Sequence, residues 1–366
     1  MKHLVSDQSN NLLSKAHYKT IQPLLDSGHI QAAVKGEYKY PASVVLLPGL
    51  SCMFKCTFCG RNYDAKEKRQ EKHFKIFEQV ILQDKKRSNM YISGGLEPMT
   101  NPYLNDIIKL LHDNEYKPRM LSNGFMLTPK YVDKNPYLKT LDHLRISIYG
   151  IDEEEYKITT RHLKGWNVVK ENIKAYNKRT DKTNISINYV LLPTNFERFH
   201  EILNYIDEVG GVKELSLRED FTGKQNISDR NKFKDLLFSF DEKVKQRGIK
   251  VDYGYTMAEI LDGRDDCKLI QCNLEHLDNM QHPQVKIYID PRGDIYNYTG
   301  ASFIDRPDSE RHILGNVIDS SVEKELKKQK RIEPQESDIQ FLDAFANLIE
   351  YSKWSFRNES IISSTK

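Results

Sequence analysis

The stretch SVVLLPGLSCMFKCTFCGRN, residues 43–62, sets an apolar run directly before three cysteines, Cys52, Cys56 and Cys59. Residues 43–49 read as a buried strand that ends at Pro48 and Gly49. Thiolates that follow such a strand lie on the loop at its C-terminal end, where parallel α/β sheets and barrels place their active sites. A closed structural zinc site takes four ligands, and the nearest further candidate, His73, falls in the amphipathic stretch beyond the loop. A four-iron cluster held by three cysteines instead leaves one iron with a position open to a small chelating ligand.

Outward from this loop, apolar runs alternate with amphipathic stretches. KHFKIFEQVILQDKK (72–86) has its apolar residues on one helical face, and NMYISGG (89–95) reads as the next strand. The alternation continues through a helix at 101–116, a strand at 119–124, a helical stretch at 128–137, a strand at 143–150 and a helix at 165–179. It repeats with strands at 184–193 and 213–219 and helices at 196–211 and 229–248. Six strand–helix units in a row predict an α/β fold, a partial (β/α)6 TIM-type barrel over residues 43–248 with right-handed crossovers.

Residues 1–42 form an N-terminal helical lead-in, residues 249–320 a small α+β extension, and residues 321–366 C-terminal helices. Within the extension QVKIYIDPRGDIYNYTG (284–300) predicts a β-hairpin turning at Pro291, Arg292 and Gly293. SDIQFLDAFANLIEYSKW predicts an amphipathic helix opened by Ser337.

The chain has 366 residues, 39% hydrophobic and 29% charged, enough apolar material for a substantial core. Its 55 basic and 52 acidic residues are interspersed, so neither a nucleic-acid nor a membrane partner is expected. The N-terminal residues lack an apolar signal core and no run of eighteen apolar residues occurs, so a cytoplasmic location is expected. Three of five cysteines crowd into one loop, a pattern that suggests metal before disulfide.

With SGGLEP (93–98) following one strand–helix unit later, the C-x3-C-x2-C loop resembles that of the radical S-adenosylmethionine (radical SAM) superfamily. The resemblance implies a single 4Fe-4S cluster on Cys52, Cys56 and Cys59, with S-adenosylmethionine chelating the fourth iron and Phe58 beside it. Gly94, Gly95, Glu97 and Pro98 would bind the methionine amino group. Ser122 and Asn123, in LSNG, close the third strand as in the family, and Ser147, in ISIYG, stands near the ribose. Arg161 would pair with the cofactor carboxylate, and Leu191, with Leu192, would lie against the adenine.

The extension looks like the SPASM or twitch tail of one radical SAM branch, with Cys272 at the first cysteine position. Tyr298 stands after the hairpin where a second cysteine would be, and Cys267 and Cys272 alone cannot complete another cluster. The tail therefore reads as a degenerate, metal-free cap.

By this resemblance the protein is an enzyme that reductively cleaves S-adenosylmethionine to a 5′-deoxyadenosyl radical. The radical would take hydrogen from a small polar sugar- or amino-acid-like metabolite for elimination, decarboxylation or epimerisation. A reducing partner such as flavodoxin or ferredoxin is implied. The alternatives are a peptide-modifying maturase, an activase of a glycyl-radical enzyme, or a non-enzymatic iron–sulfur electron-transfer protein.

Overall fold

The structure, a computed structural model, describes residues 13–61, 74–85, 88–180, 183–220, 227–264, 270–303 and 306–364. His73 and Cys267 lie outside the described residues.

Two helices, α1 (Lys15–Asp26) and α2 (His29–Lys35), lead into β1 (Ser43–Leu46). The chain then winds through α3 (Phe74–Asp84), β2 (Asn89–Ile92), α4 (Leu104–Asp113), β3 (Arg119–Ser122), α5 (Pro129–Lys134) and β4 (His143–Ile148). It continues with α6 (Glu153–Thr160), α7 (Gly165–Asn177), β5 (Asn184–Leu191), α8 (Ile202–Val209), β6 (Val212–Glu219) and α9 (Arg230–Arg247). Each of β1 to β6 pairs parallel with the next, as the alternation predicts. The parallel run goes one strand further than the sequence pattern suggests: β7 (Lys250–Tyr253) pairs parallel with β6 and leads into α10 (Tyr255–Leu261).

The hairpin of β8 (Lys286–Ile289) and β9 (Asp294–Tyr296) forms where Pro291–Gly293 predict it. Gly293 takes φ +81, and the Asp290 carboxylate accepts from the amides of Arg292 and Asp294. This hairpin extends the barrel sheet: β8 pairs parallel with β1, with Val45 opposite Tyr288, and β10 (Ile313–Asn316) adds antiparallel to β9. One ten-stranded sheet results, in the order β10-β9-β8-β1-β2-β3-β4-β5-β6-β7.

After α11 (Val322–Leu326) the last helix, α12 (Ala344–Ser364), begins later than Ser337. The Asp338 carboxylate is taken up by Arg311, His312 and the Gln335 amide, and Asp343 accepts from the Ala346 amide at the start of α12. Among the described residues no helix is long and apolar enough to cross a membrane.

The core lies between the sheet and its helices. In α4, Leu104, Ile107, Ile108 and Leu111 are fully buried, an i, i+3, i+4, i+7 face. In β4 the outward residues Leu144, Ile146 and Ile148 are fully buried, while the lumen-facing His143, Arg145 and Ser147 are only half buried. A packed TIM barrel fills its interior with branched apolar side chains. Polar lumen positions leave this barrel hollow.

Candidate active site

The cysteine loop hangs between two neighbours. On one side Glu97 N donates to Ser51 O, Leu50 N to Thr100 Oγ1, and Asn101 Nδ2 to Pro48 O, all at 2.9 Å. On the other, the amides of Lys55 and Thr57 donate to the carbonyls of Thr160 and Thr159, at the end of α6. Between these anchors Phe54, 1% exposed, packs edge-on against Phe125, Tyr149, Tyr156 and His162. The loop is thus pinned at both ends and in its middle.

The three thiols line one end of a cavity of about 650 Å³, a size suited to a small-molecule ligand. Burial pushes the Cys52 thiol up to about 11, with Glu97 and Cys59 adding to it, and pushes Cys56 well above its ordinary value, with Cys59 and Cys52 adding to that. Three thiolates in such surroundings need a cationic group among them, so the donor set fits a metal cluster. Among the described residues no three His, Cys, Asp or Glu side chains gather as a single ion requires.

The loop after β2 forms the adjoining wall. Gly94 has φ +150, which excludes most side chains, and a Cβ on Gly95 would stand 1.1 Å from Phe303 Cε1. Glu97, 3% exposed, accepts from the Met99 amide at 3.2 Å, Ser122 Oγ at 2.8 Å and the Asn123 amide at 2.9 Å. Burial raises its proton affinity, and these three hydrogen bonds oppose that. Its carboxylate thereby ties the loops after β2 and β3 together. Asn123 Nδ2 turns to the sulfurs of Met53, at 3.1 Å, and Cys52, at 3.7 Å.

Of the positions expected from the sequence, Phe58, Gly94, Gly95, Glu97, Pro98, Ser122, Asn123 and Ser147 all line this cavity with the three cysteines. Arg161 and Leu191 do not. Arg161 is exposed at the C-cap of α6 with φ 57, and Leu191, fully buried, has the outward parity of Ile187 and Tyr189 on β5.

Other lining residues were not among those expected from the sequence. Tyr149 borders the cavity against Phe58, with ring centroids 5.5 Å apart, and burial then the Cys56 charge hold its phenol protonated. The opposite wall comes from the far end of the chain: Thr299, Gly300, Phe303 and Arg306, and the segment 339–343. Tyr149 was within reach of strand alternation. The remote wall depends on β8 docking beside β1, which no local pattern reveals.

Cys272 is buried away from this cavity, its amide donating to Asn347 Oδ1 at 2.8 Å. Tyr298 donates to Glu350 Oε1 at 2.7 Å; His282 Nδ1 lies 2.9 Å from the same oxygen, and Lys353 Nζ donates to Glu350 Oε2 at 2.8 Å.

A model of the Radical SAM superfamily matches residues 46–206. The chain is 30% identical to dTDP-4-amino-4,6-dideoxy-D-glucose ammonia-lyase of Streptomyces venezuelae, over 91% of its own length and 74% of the relative's. It is 26% identical to a probable GTP 3′,8-cyclase of Methanococcus maripaludis over 45% of its length, spanning about half (54%) of that protein. Streptococcus suis SuiB bound to S-adenosylmethionine shares the fold at 16% identity, with a TM-score of 0.57 over 88% of this chain and 71% of SuiB. anSMEcpe with bound AdoMet does so at 18% identity, with a TM-score of 0.57 over 82% of this chain and 80% of that one.

Proposed function

The chain belongs to the radical SAM superfamily and is an enzyme, and from that premise we propose that it eliminates ammonia from an amino sugar carried on a nucleotide. The observation that carries this reading is the 30% identity to an ammonia-lyase acting on such a sugar, sustained over 74% of the relative's length. The hollow, polar barrel lumen supports it, since a sugar nucleotide needs hydrogen-bonding walls beneath the reacting end.

Superfamily members bind a 4Fe-4S cluster and S-adenosylmethionine, which together supply the 5′-deoxyadenosyl radical that takes hydrogen from a substrate. In this chain Cys52, Cys56 and Cys59 would hold the cluster. The backbone of Gly94 and Gly95 and the side chains of Ser122, Asn123 and Ser147 offer polar groups to the cofactor within the same cavity. Phe58 and Tyr149 on one side, with Phe303 and Phe341 on the other, enclose the site in aromatic surface that keeps water from a reactive radical. A flavodoxin- or ferredoxin-like protein would supply electrons.

Anaerobic turnover with dithionite and S-adenosylmethionine tests the reading. Adding dTDP-4-amino-4,6-dideoxy-D-glucose should raise 5′-deoxyadenosine formation at least about tenfold over the rate without substrate. An unchanged rate, with cluster and cofactor bound, would remove this sugar nucleotide as the substrate.

A further inference from the structure

Below the cysteine end, the barrel lumen holds a second cavity of about 430 Å³. Its walls come from β1 to β4 and β8, and they present Arg119, His143, Arg145 and Lys286 without one acidic lining residue. Ser93, Leu121 and Thr299 line both cavities, so the two adjoin. We infer that Arg119, Arg145 and Lys286 form a phosphate-binding floor of the substrate site, holding the diphosphate of a nucleotide-linked sugar. The inference rests on the ammonia-lyase reading and specifies how its substrate is gripped.

Arg119 and Arg145 make only long ion pairs, which leave their hydrogen-bonding N–H groups available to an anion. Arg119 Nε is 3.6 Å from Asp142 and Arg145 Nη2 is 3.8 Å from Glu214, both beyond hydrogen-bonding length. Arg145 Nε reaches Ser186 Oγ only at 3.4 Å, an oxygen that His143 Nε2 already holds at 2.6 Å. Lys286 Nζ stands 4.0 Å from the centre of the Phe345 ring, and among the described residues no carboxylate lies within ion-pair distance of it. Burial lowers its proton affinity while Asp343 raises it, so an incoming anion would compensate that ammonium. Arg218, by contrast, is committed to the Asp252 carboxylate and to the carbonyls of Leu217 and Asp252.

Spacing agrees. Along β4 the lumen-facing residues run Ser147, Arg145, His143, and two residues of strand advance about 6.6 Å. Arg145 therefore sits roughly one sugar ring below Ser147, which borders the cofactor cavity. A diphosphate linked to a sugar whose far carbon reacts at the cysteine end falls at this depth. Guanidinium groups take phosphate oxygens in pairs and an ammonium adds a point charge.

Equilibrium binding to the reconstituted holoenzyme tests the floor, with dTDP, thymidine and inorganic pyrophosphate as probes. dTDP should bind at least about tenfold more tightly than thymidine, and Arg145→Gln and Lys286→Met should each weaken dTDP at least about tenfold. Arg145→Lys should recover part of the loss. Arg247→Gln, on the outer surface beside Asp207, should change nothing. Lys286→Met keeps the aliphatic stem against Phe345, and Arg119→Gln replaces either variant should its circular dichroism be lost. Two results would overturn the floor: dTDP binding no tighter than thymidine with pyrophosphate failing to bind, or a folded double variant binding dTDP as the parent does. If pyrophosphate binds, is weakened by the same substitutions, and dTDP gains nothing over it, the anion floor stands and the nucleotide reading falls.

Discussion

Cys56 and Glu97 border the same cavity yet do different work. Cys56 is a half-buried thiol whose position makes sense with a metal group beside it, whereas Glu97 spends its carboxylate on three donors that join two loops. Cys56→Ala should drop iron from about four per chain to near none while the urea midpoint of the metal-free protein barely moves. Glu97→Ala should orphan three buried donors and cost the metal-free protein about 3 kcal/mol of unfolding free energy. Equal urea midpoints for the two variants would refute this division of labour. At this scale the sequence was highly legible: the cysteine loop and the Gly-Gly-x-Glu-Pro segment marked eight of the thirteen expected positions and the ends of the third and fourth strands marked three more, and all eleven line one cavity. Arg161 and Leu191 came from the family resemblance alone, and outside the cavity the one sits at a helix C-cap and the other has outward strand parity.

Elements were legible wherever the hydrophobic period was local. β1 to β6 and their helices follow from apolar repeats of two and of 3.6 residues, and the Asp-Pro-Arg-Gly turn fixed the hairpin. The pairing of β8 with β1 was not legible, because sheet partners far apart in sequence leave no local mark. Beyond the hairpin, α12 meets its flanks through Glu350, Tyr298, His282 and Lys353. Glu350→Ala would leave the Lys353 ammonium buried with no anion, at a cost of about 3–5 kcal/mol. Although burial pushes Glu350 up, the Lys353 charge and the His282 hydrogen bond hold it down to about 2, from an ordinary 4.5. Burial likewise lowers His282 from 6.5, against the pull of Glu350. Both folded values are depressed, so the unfolded chain binds these protons more readily. Their stabilisation is complete above about pH 6.5 and is lost as pH falls through 6.5 and 4.5 toward 2. The urea midpoint should therefore be lower at pH 5.5 than at pH 7.5 in the parent protein; a level or rising midpoint would contradict this account.

The whole molecule joins a cysteine-bearing loop at one end of a hollow barrel to a basic floor below it, with the chain's C-terminal quarter forming the opposing wall. This layout has room for a long substrate that reacts at one end and is held by its charge at the other. Superfamily membership was visible in two short motifs, but the substrate could be narrowed only to a small polar sugar- or amino-acid-like metabolite, because the residues that shape the lumen are scattered over five strands. The most direct test of the central claim supplies dTDP-4-amino-4,6-dideoxy-D-glucose labelled with ¹⁵N at the amine to the reduced, reconstituted enzyme with S-adenosylmethionine. The account predicts ¹⁵N-ammonium and 5′-deoxyadenosine rising together, at about one ammonium or more per 5′-deoxyadenosine. 5′-Deoxyadenosine accumulating while the label stays on the sugar would contradict it.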